Sequence, residues 1–307
     1  MSENDNIDLK PVFKWPGGKR RLAHDILPLI HVGGGTYVEP FVGGGAILLA
    51  LRPKKAIIND SNAELINTYT CIRDHTDELL NALKMHESKN NADYFYSIRA
   101  KDRIPDFIAN TPPVERAARI LYLNKTCYNG LFRVNKAGQF NAAYGRYKHP
   151  IIVDEPAIRA LAEYLSTNDV TITCGDYKKI LNDIPQDSFV YLDPPYMPVS
   201  VSSSFTGYTP DKFNHENQIE LKAYCDKLSA RGIPFLESNS NATEVMGLYK
   251  AYNIINVRAN RCINKIASKR GAVMETLISN YHSTDGKLTI SCSYVDQGTH
   301  NTRITRS

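Results

Sequence analysis

The segment "FVYLDPPY", residues 189–196, joins a short apolar run to an acid, two prolines and an aromatic ring. Proline lacks a backbone N–H and fixes φ, so a strand must end where two prolines follow each other. The Asp193 carboxylate is therefore predicted at a strand end, with the Pro194 carbonyl and the Tyr196 ring beside it. An aromatic exocyclic amine is a poor nucleophile because its lone pair is delocalised. A carboxylate and a carbonyl that accept its N–H bonds, with a ring stacked on the base, could activate such an amine.

Two glycine-rich turns precede this segment. The first, "VEPFVGGGA" at residues 38–46, runs from a predicted strand into a helix, and its glycines allow a ligand to approach the backbone closely. It matches neither the dinucleotide fingerprint GxGxxG nor the P-loop pattern. Asp60 ends the next strand, at the spacing where an acid binds ribose hydroxyls in nucleoside-binding sheets. The second turn, in "FKWPGGKRR", carries Trp15 and Lys19, which by themselves also fit a buried indole and a solvated lysine.

Strands and helices alternate along most of the chain, which predicts an α/β fold with a doubly wound, mostly parallel sheet. The predicted strands lie in "TYVE", "KAIIND", "VTITC", "SFVYL", "IPFLESNS" and "METLISNY". The carboxyl ends of parallel strands meet at one edge of a sheet, where ligands bind. We therefore expect Asp60, Asp176 and Asp193 to lie along that edge with the glycine turn at Gly43.

The alternation breaks between residues 61 and 150, which read as mainly helical and then as a hairpin in "FRVNKAGQFNAAYG". This region is a candidate inserted domain. Residues 123–150 contain five basic residues and no acidic residue, and aromatic and amide side chains lie between the cations. Residues 257–274 likewise contain five basic residues and no acid. Both stretches are typical of a surface that binds a polyanion such as nucleic acid.

Composition excludes several other classes. The chain has 307 residues, and its longest apolar run, "AILLAL", is too short to span a bilayer. The polar, acidic N-terminus does not resemble a secretory signal. Its six cysteines are scattered without a CxxC pair, which argues against a zinc site and favours reduced thiols. We therefore expect a cytoplasmic protein without a bound metal.

Five motifs occur in a fixed order: "KWPGGK", "EPFVGGG", "IIND", "YLNKTCYNGLFRVNKAGQFNAAYGRYK" and "YLDPPY". With this combination the chain resembles the Dam-type (D12 class) DNA adenine-N6 methyltransferases from about residue 12 to about residue 281. The resemblance implies a Rossmann-like methyltransferase sheet with an inserted helical-bundle and hairpin domain that recognises DNA. The resemblance also implies domain boundaries. Residues 1–62 form the cofactor half and residues 151–285 the catalytic half of the methyltransferase domain. Residues 63–150 form the recognition domain, and residues 286–307 form a tail without a counterpart.

The resemblance also implies roles for individual residues. S-adenosylmethionine would be the methyl donor, S-adenosylhomocysteine the product, and double-stranded DNA the partner of a monomeric enzyme. The implied cofactor contacts are Trp15, Lys19, Glu39, Phe41, Gly43, Asp60, Asp176, Tyr177 and Asp193. The residues implied to bind and activate a flipped adenine are Asp193, Pro194 and Tyr196. The implied DNA contacts are Tyr128 as a wedge, Asn129, Leu131 and Arg133 on bases, Arg146 on phosphate, and Lys148. Relatives with "YNGLFR" mostly modify adenine in GATC, which implies that site here.

Direct transfer from a sulfonium to an amine requires no metal and no covalent enzyme intermediate, and the sequence lacks the Pro-Cys dipeptide of a carbon-methylating cytosine enzyme. Three alternatives stay open. One is an amino-methyltransferase acting on cytosine N4, RNA or protein glutamine. The second is a metal-dependent nuclease, since residues 210–222 formally match PD…ExK, although they read as helix. The third is a catalytically silent DNA-binding module.

We also expect the loop at residues 197–213 to close over a flipped base.

Overall fold

The computed structural model describes residues 9–196, 213–260, 272–284, 287–290 and 304–305. A seven-stranded sheet forms its centre, with strand order β3-β2-β1-β4-β5-β7-β6. The strands are β1 (Tyr37–Glu39), β2 (Lys55–Asp60), β3 (Asp169–Cys174), β4 (Phe189–Leu192), β5 (Phe235–Ser240), β6 (Asn253–Asn260) and β7 (Ala272–Ser279). Each of the six apolar stretches predicted as strands lies in one of them, and β6 completes the set.

The first five strands in spatial order are parallel, and β7 runs antiparallel to both β5 and β6. From β1 the chain moves outward through β2 and β3, and it then returns to pair β4 with the other side of β1. Strands are thus added in opposite directions on the two sides of the β1–β4 pair. At such a switch point the connections leave on opposite faces of the sheet, and a crevice forms beyond the carboxyl ends of the two strands. This arrangement confirms the predicted mostly parallel α/β sheet and agrees with a Rossmann-like methyltransferase fold.

Helices cover the sheet and fill the region between β2 and β3. Their bounds are α1 (Ala23–Ile26), α2 (Ala46–Leu51), α3 (Ala63–Asp74), α4 (Thr76–Ser88), α5 (Ala92–Ala100), α6 (Phe107–Asn110), α7 (Pro113–Thr126), α8 (Glu155–Thr167), α9 (Tyr177–Asp183), α10 (His215–Ala230) and α11 (Thr243–Leu248). Side-chain caps set where several of them begin. The Asn62 side chain accepts the Leu65 N–H at the start of α3, and Asn214 forms a capping box with Asn217 at the start of α10.

The region between β2 and β3 is mainly helical, as the sequence predicted. Helix α7 lies at its centre and packs against α3, α4 and α5, while α3 also packs against β3 and α8. The predicted hairpin follows α7 as two isolated antiparallel bridges, which pair Cys127 with Tyr144 and Val134 with Phe140. The Asn135 side chain closes its turn by accepting the N–H groups of Ala137 and Gln139.

Beyond β7, a small antiparallel sheet contains β8 (Tyr281–Thr284), β9 (Lys287–Ile290) and β10 (Ile304–Thr305), in the order β10-β9-β8. Strands thus occur within residues 286–307, the tail for which no counterpart was expected. Most of the segment expected to close over a flipped base, residues 197–212, lies outside the described residues, as do residues 261–271 of the second basic stretch. Among the residues that are described, no helix has the length and apolar character needed to cross a membrane.

Candidate active site

Three predicted acids share the carboxyl edge of the parallel strands. Asp60 is the last residue of β2, and Asp193 directly follows β4. Asp176 lies two residues beyond β3 and forms the N-cap of α9, where its side chain accepts the Lys178 N–H. The glycine turn follows β1, between these strands. The expected assembly of acids and turn at one edge of the sheet is therefore confirmed.

The glycine turn is fixed by Asp60 and lies directly against Trp15. One Asp60 oxygen accepts the Gly43 N–H at 3.0 Å, and the other accepts the Asn62 N–H at 2.9 Å. Gly43 has a φ of 47°, a conformation that favours glycine. A Cβ added to Gly43 would lie 2.8 Å from the Trp15 indole, and the adjacent Gly44 is similarly close to Trp15. The turn and the N-terminal motif thus form one wall of the crevice.

A buried asparagine holds two neighbouring loops at this edge. Asn59, in β2, donates to the carbonyl of Pro40 at 3.0 Å and to that of Gly175 at 2.9 Å. Its own oxygen accepts the Thr173 hydroxyl at 3.1 Å. The loops that follow β1 and β3 are therefore tied to the strand between them. Sequence reasoning missed Asn59, whose only signal is its position immediately before Asp60.

Asp193 lies in a compact charged cluster with Lys19. The Lys19 ammonium is 2.9 Å from the Asp193 carboxylate and 4.5 Å from the centre of the Tyr196 ring. It also donates to the Gly17 carbonyl at 2.8 Å, which anchors it to its own turn. Lys19 is only 4% exposed, so the alternative of a solvated lysine is wrong. Burial raises the pKa of Asp193 to about 6, Lys19 opposes that rise, and Glu275 adds to it.

A buried polar chain supports the segment that follows Asp193. The Gln218 amide, in α10, donates to the Pro195 carbonyl at 3.4 Å and accepts from Asn239 at 3.0 Å. Asn239 also donates to Glu237 at 2.7 Å, and burial raises the pKa of Glu237 to about 7. Gln218, Asn239 and Glu237 are fully buried. No local motif signals these three residues, which meet because α10 covers the end of β5.

Glu39 lies beneath the glycine turn rather than in open solvent. It is 2% exposed and accepts the Tyr37 hydroxyl at 2.9 Å. Burial raises the pKa of Glu39 to about 8, and the negative charge of Asp193 contributes to that rise. A second acid therefore lies close to Asp193 in the same poorly solvated edge of the sheet.

Aromatic side chains form the other wall of the crevice, beside Asp176. The Phe41 and Tyr177 ring centres are 5.0 Å apart, and Phe213 lies 6.2 Å from Phe41 and 6.3 Å from Tyr177. The buried Tyr177 hydroxyl has no hydrogen-bond partner among the described residues. Apolar rings, an unpartnered hydroxyl and the carboxylates of Asp60 and Asp176 suit a ligand that combines a flat base with ribose hydroxyls.

The predicted DNA contacts lie on the surface after α7. Tyr128 is 56% exposed, and Asn129 beside it is exposed with a φ of 56°. Arg133 is exposed and donates to the Asn141 carbonyl across the hairpin at 2.7 Å. Arg146 is exposed with a φ of 55°. Leu131 is half-buried and Lys148 is exposed, so five of these six side chains are accessible, and three of the six are basic.

This surface and the crevice share two direct connections. The Trp15 indole stacks on Phe132 with ring centres 5.0 Å apart and an interplanar angle of 27°. Asn124, at the end of α7, accepts the Lys14 N–H at 2.8 Å and donates to the Lys14 carbonyl at 2.9 Å. The "KWPGGK" motif is therefore held between the glycine turn on one side and the hairpin on the other.

The PD…ExK pattern does not have the structural setting that a metal-dependent nuclease requires, in which the acids lie on strands. Glu220 and Lys222, its ExK portion, lie in the middle of α10 instead of on a strand. Lys222 pairs with Asp226 one turn later at 2.8 Å, and Glu220 pairs with Lys178. Within the described ranges, no group of three or more His, Cys, Asp or Glu side chains has the arrangement of a metal site. The described part of the pattern therefore lies on a half-buried helix face, where both side chains are engaged in ion pairs.

Comparisons with known proteins give a consistent result. Residues 15–263 match the model of the D12 class N6 adenine-specific DNA methyltransferase family. The type II methyltransferase M1.LlaDCHI of Lactococcus lactis subsp. cremoris is 40% identical over 281 residues, which cover 92% of this chain and 99% of that protein. The type II methyltransferase M.MjaIII of Methanocaldococcus jannaschii is 40% identical and covers 90% of this chain and 100% of its own length. A DNA adenine methylase of Serratia marcescens is 34% identical over 268 residues, which cover 86% of this chain and 96% of that protein.

Proposed function

Because the chain belongs to the D12 class of N6 adenine-specific DNA methyltransferases, we propose that it transfers a methyl group from S-adenosylmethionine to N6 of a flipped adenine in duplex DNA. The observation that supports this proposal best is the position of Asp193. It directly follows β4, which pairs with β1 where the order of the strands reverses, and it pairs with the Lys19 ammonium that lies over the Tyr196 ring. We further propose GATC as the recognition sequence, on the resemblance of the "YNGLFR" segment.

The residues of the crevice fit the proposed donor. Trp15 and the turn at Gly43 would hold its amino-acid part, Asp60 its ribose hydroxyls, and Asp176 with Tyr177 its adenine. When bound, S-adenosylmethionine supplies an electrophilic methyl group. Lys19 and Glu39 would complete its surroundings, and Phe41 packs against Tyr177 to keep that face of the pocket apolar.

The target adenine must leave the helix, because N6 takes part in base pairing. Extrusion costs roughly a few kcal/mol, and stacking on the Tyr196 ring returns about 1–3 kcal/mol. Asp193 and the Pro194 carbonyl would accept hydrogen bonds from the two N6–H groups, which localises the nitrogen lone pair and aims it along the line of transfer. The N–CH3 bond forms as the S–CH3 bond breaks, and one of the two N6 protons is then lost. Gln218, which is hydrogen-bonded to Asn239 and through it to Glu237, donates to the Pro195 carbonyl and would hold the proline loop in place.

The surface after α7 would bind the DNA around the flipped base. In this proposal Tyr128 fills the space that the adenine leaves, and Asn129, Leu131 and Arg133 contact neighbouring bases. Arg146 and Lys148 bind phosphates. We propose that residues 63–150 form the inserted recognition domain, which divides the methyltransferase domain into 1–62 and 151–285.

The protein is proposed to act as a monomer in the cytoplasm. The thiols of Cys71, Cys127 and Cys225 are buried and free, which agrees with a reducing compartment. A monomer is sufficient for the chemistry, since all the residues proposed for donor, base and DNA lie on one chain.

Mapping of modified bases in DNA from cells that express this chain tests the proposal. We expect N6-methyladenine at one short sequence, GATC, and none in cells that express an Asp193→Ala variant. Mass analysis of hydrolysed nucleosides in the same samples distinguishes the alternatives. Methylated cytosine, or methylation confined to RNA, would replace the proposed substrate, and magnesium-dependent strand cutting would favour a nuclease.

A further inference from the structure

Glu275 reaches the crevice from a distant part of the chain. It lies on β7, the antiparallel strand, and pairs with Ser240 at the carboxyl end of β5. That register brings it to the edge occupied by the residues after β4. Its side chain is 16% exposed. No motif singled it out, because "METLISNY" reads only as a strand.

One oxygen of Glu275 contacts two groups that flank Asp193. The Tyr196 hydroxyl donates to Glu275 Oε2 at 2.7 Å, and the Lys19 Nζ is 3.7 Å from the same atom. Lys19 is also 2.9 Å from Asp193 Oδ1. The ammonium therefore lies between two carboxylates, one of which is proposed to contact the adenine amine while the other lies behind the stacking ring.

The position of the Tyr196 ring follows from these contacts. Lys19 lies over the ring at 4.5 Å from its centre, so one ring face is covered by the ammonium. The hydrogen bond to Glu275 holds the far end of the ring, which prevents it from swinging about its Cβ. A flipped base can then stack only on the opposite face, and the ring presents that face in a single orientation.

Resting on the proposed function, we propose that Glu275 is a positioning residue for methyl transfer, which orients the Tyr196 ring through its hydroxyl and shares the Lys19 ammonium with Asp193. Sharing matters because Asp193 must keep lone pairs available for the adenine amine. With Glu275 neutral, Lys19 would pair with Asp193 alone, and the carboxylate would be a weaker acceptor.

The charge of Glu275 also gives a signature that a purely structural residue lacks. The groups that face Asp193 are Lys19, which lowers its pKa, and Glu275, which raises it in addition to burial. Glu39 and Glu237 also face it from β1 and β5, and the hydroxyls of Tyr191 and Tyr196 face it from its own strand and loop. Removing the negative charge of Glu275 therefore lowers the pKa of Asp193.

The experiment measures kcat, KM for DNA and the pH profile of kcat/KM from about pH 5 to about pH 8, on the duplex that base mapping identifies. For Glu275→Gln we expect kcat to fall about tenfold with KM within about twofold of wild type. We also expect the acid limb of kcat/KM to move to lower pH. Glu244→Gln, which removes one exposed negative charge from α11, is the matched control and should change neither quantity.

Two further variants separate the roles of the hydroxyl and of the charge. Glu275→Asp keeps the charge but is too short to reach Tyr196, so kcat should fall while the acid limb stays in place. Tyr196→Phe removes the hydroxyl, and adding Glu275→Gln to it should cost clearly less in kcat than in the wild-type background. Thermal melting of each variant confirms that it is folded.

The outcomes separate this inference from the function on which it rests. If the wild-type protein methylates no adenine, the proposed function fails and the role of Glu275 fails with it. If the wild type is active but Glu275→Gln matches it in kcat and in the acid limb, only the role of Glu275 is overturned. The role of Glu275 is also overturned if the acid limb of kcat/KM does not move and the losses in kcat are fully additive in the Tyr196→Phe, Glu275→Gln double variant. Should Glu275→Gln not fold, an unchanged kcat in Tyr196→Phe serves as the contrary result.

Discussion

The carboxyl edge of the sheet and the surface after α7 hold their charges in opposite ways. At the edge, Lys19 is 4% exposed and pairs with Asp193 in a place from which most water is excluded. After α7, Arg133 and Arg146 are exposed, and Arg133 donates to a backbone carbonyl. One region fixes its charges by burial and pairing, and the other presents them to solvent.

The difference reflects what each region is proposed to do. Activating a poor nucleophile needs acceptors held in one geometry and poorly screened by water. Binding a phosphate backbone needs cations that can exchange their hydration and counterions for DNA. Substitutions at the edge should therefore change the chemistry with little effect on binding, and substitutions on the surface should do the reverse. The two regions should therefore also respond differently to pH and to salt.

Asp193→Ala should lower methyl transfer by about 10³-fold or more, because the amine loses its charged acceptor. Binding of duplex DNA should stay within about twofold of wild type, since Asp193 is not one of the proposed phosphate contacts. Single-turnover methylation and a binding titration measure the two quantities. Asp183→Ala, at the exposed end of α9, is the control and should leave both unchanged. A parallel loss of binding and rate in Asp193→Ala would contradict the division.

The pH profile should distinguish the two regions without any substitution. Burial raises the pKa of Asp193 to about 6, and its carboxylate form is the one that accepts the amine. We expect kcat/KM to fall about tenfold per pH unit below that value, because the protonated fraction rises. DNA affinity over the same range should change little, since lysine and arginine side chains keep their charge there. If DNA affinity fell below pH 6 as steeply as kcat/KM, the titrating group would act in DNA binding and not in methyl transfer.

Arg133→Ala should relax sequence preference at one base pair by about 1–3 kcal/mol, because a guanidinium that reads a base edge favours one base. Affinities for a panel of duplexes with single base-pair changes measure this effect. Lys136→Ala, which removes another exposed cation of the hairpin, is the matched control and should keep the preference. An equal loss on every duplex would mean that Arg133 contacts the backbone of the DNA.

Arg146→Ala should weaken all duplexes alike, because a phosphate contact carries no sequence information. If about five phosphates are neutralised, log K of the wild type should fall with log salt at a slope of about −4 to −5. The variant should reduce the size of that slope by about 1. Salt titrations of both proteins on one duplex measure the change, and an unchanged slope would remove Arg146 from the phosphate contacts.

Glu237→Gln should affect stability and its dependence on pH. Burial raises the folded-state pKa of Glu237 from 4.5 to about 7, so the folded protein holds its proton more tightly than the unfolded chain. That stabilisation is complete below pH 4.5 and is lost as pH rises to about 7. The variant should melt roughly 2–4 °C higher than wild type at about pH 8 and nearly equally at about pH 5. A constant difference across pH would show that ionisation of Glu237 has no part in it.

Local sequence was sufficient for the parallel half of the fold and for the edge of the site. Residues 37–60 and 169–193 contain short apolar strands followed by glycine, proline or an acid, and these breaks place Asp60 and Asp193 at strand ends. The hairpin after α7 was also predicted, although it forms two isolated bridges instead of a ladder. Whether Lys19 was buried could not be judged, because burial depends on packing against distant residues.

What the sequence determined by itself is which chemical groups stand at the ends of its strands, because prolines, glycines and periodicity act over a few residues. The tertiary structure decided which of those groups meet. Glu275 contacts Tyr196 across 79 positions only because β7 enters the sheet antiparallel beside β5. Trp15 meets Phe132 because the N-terminal motif packs against the hairpin, and Glu237 meets Gln218 through Asn239 because α10 packs against β5. Such contacts depend on strand order, on register and on how helices and loops pack against the sheet, and all of these arise from the packing of the whole chain.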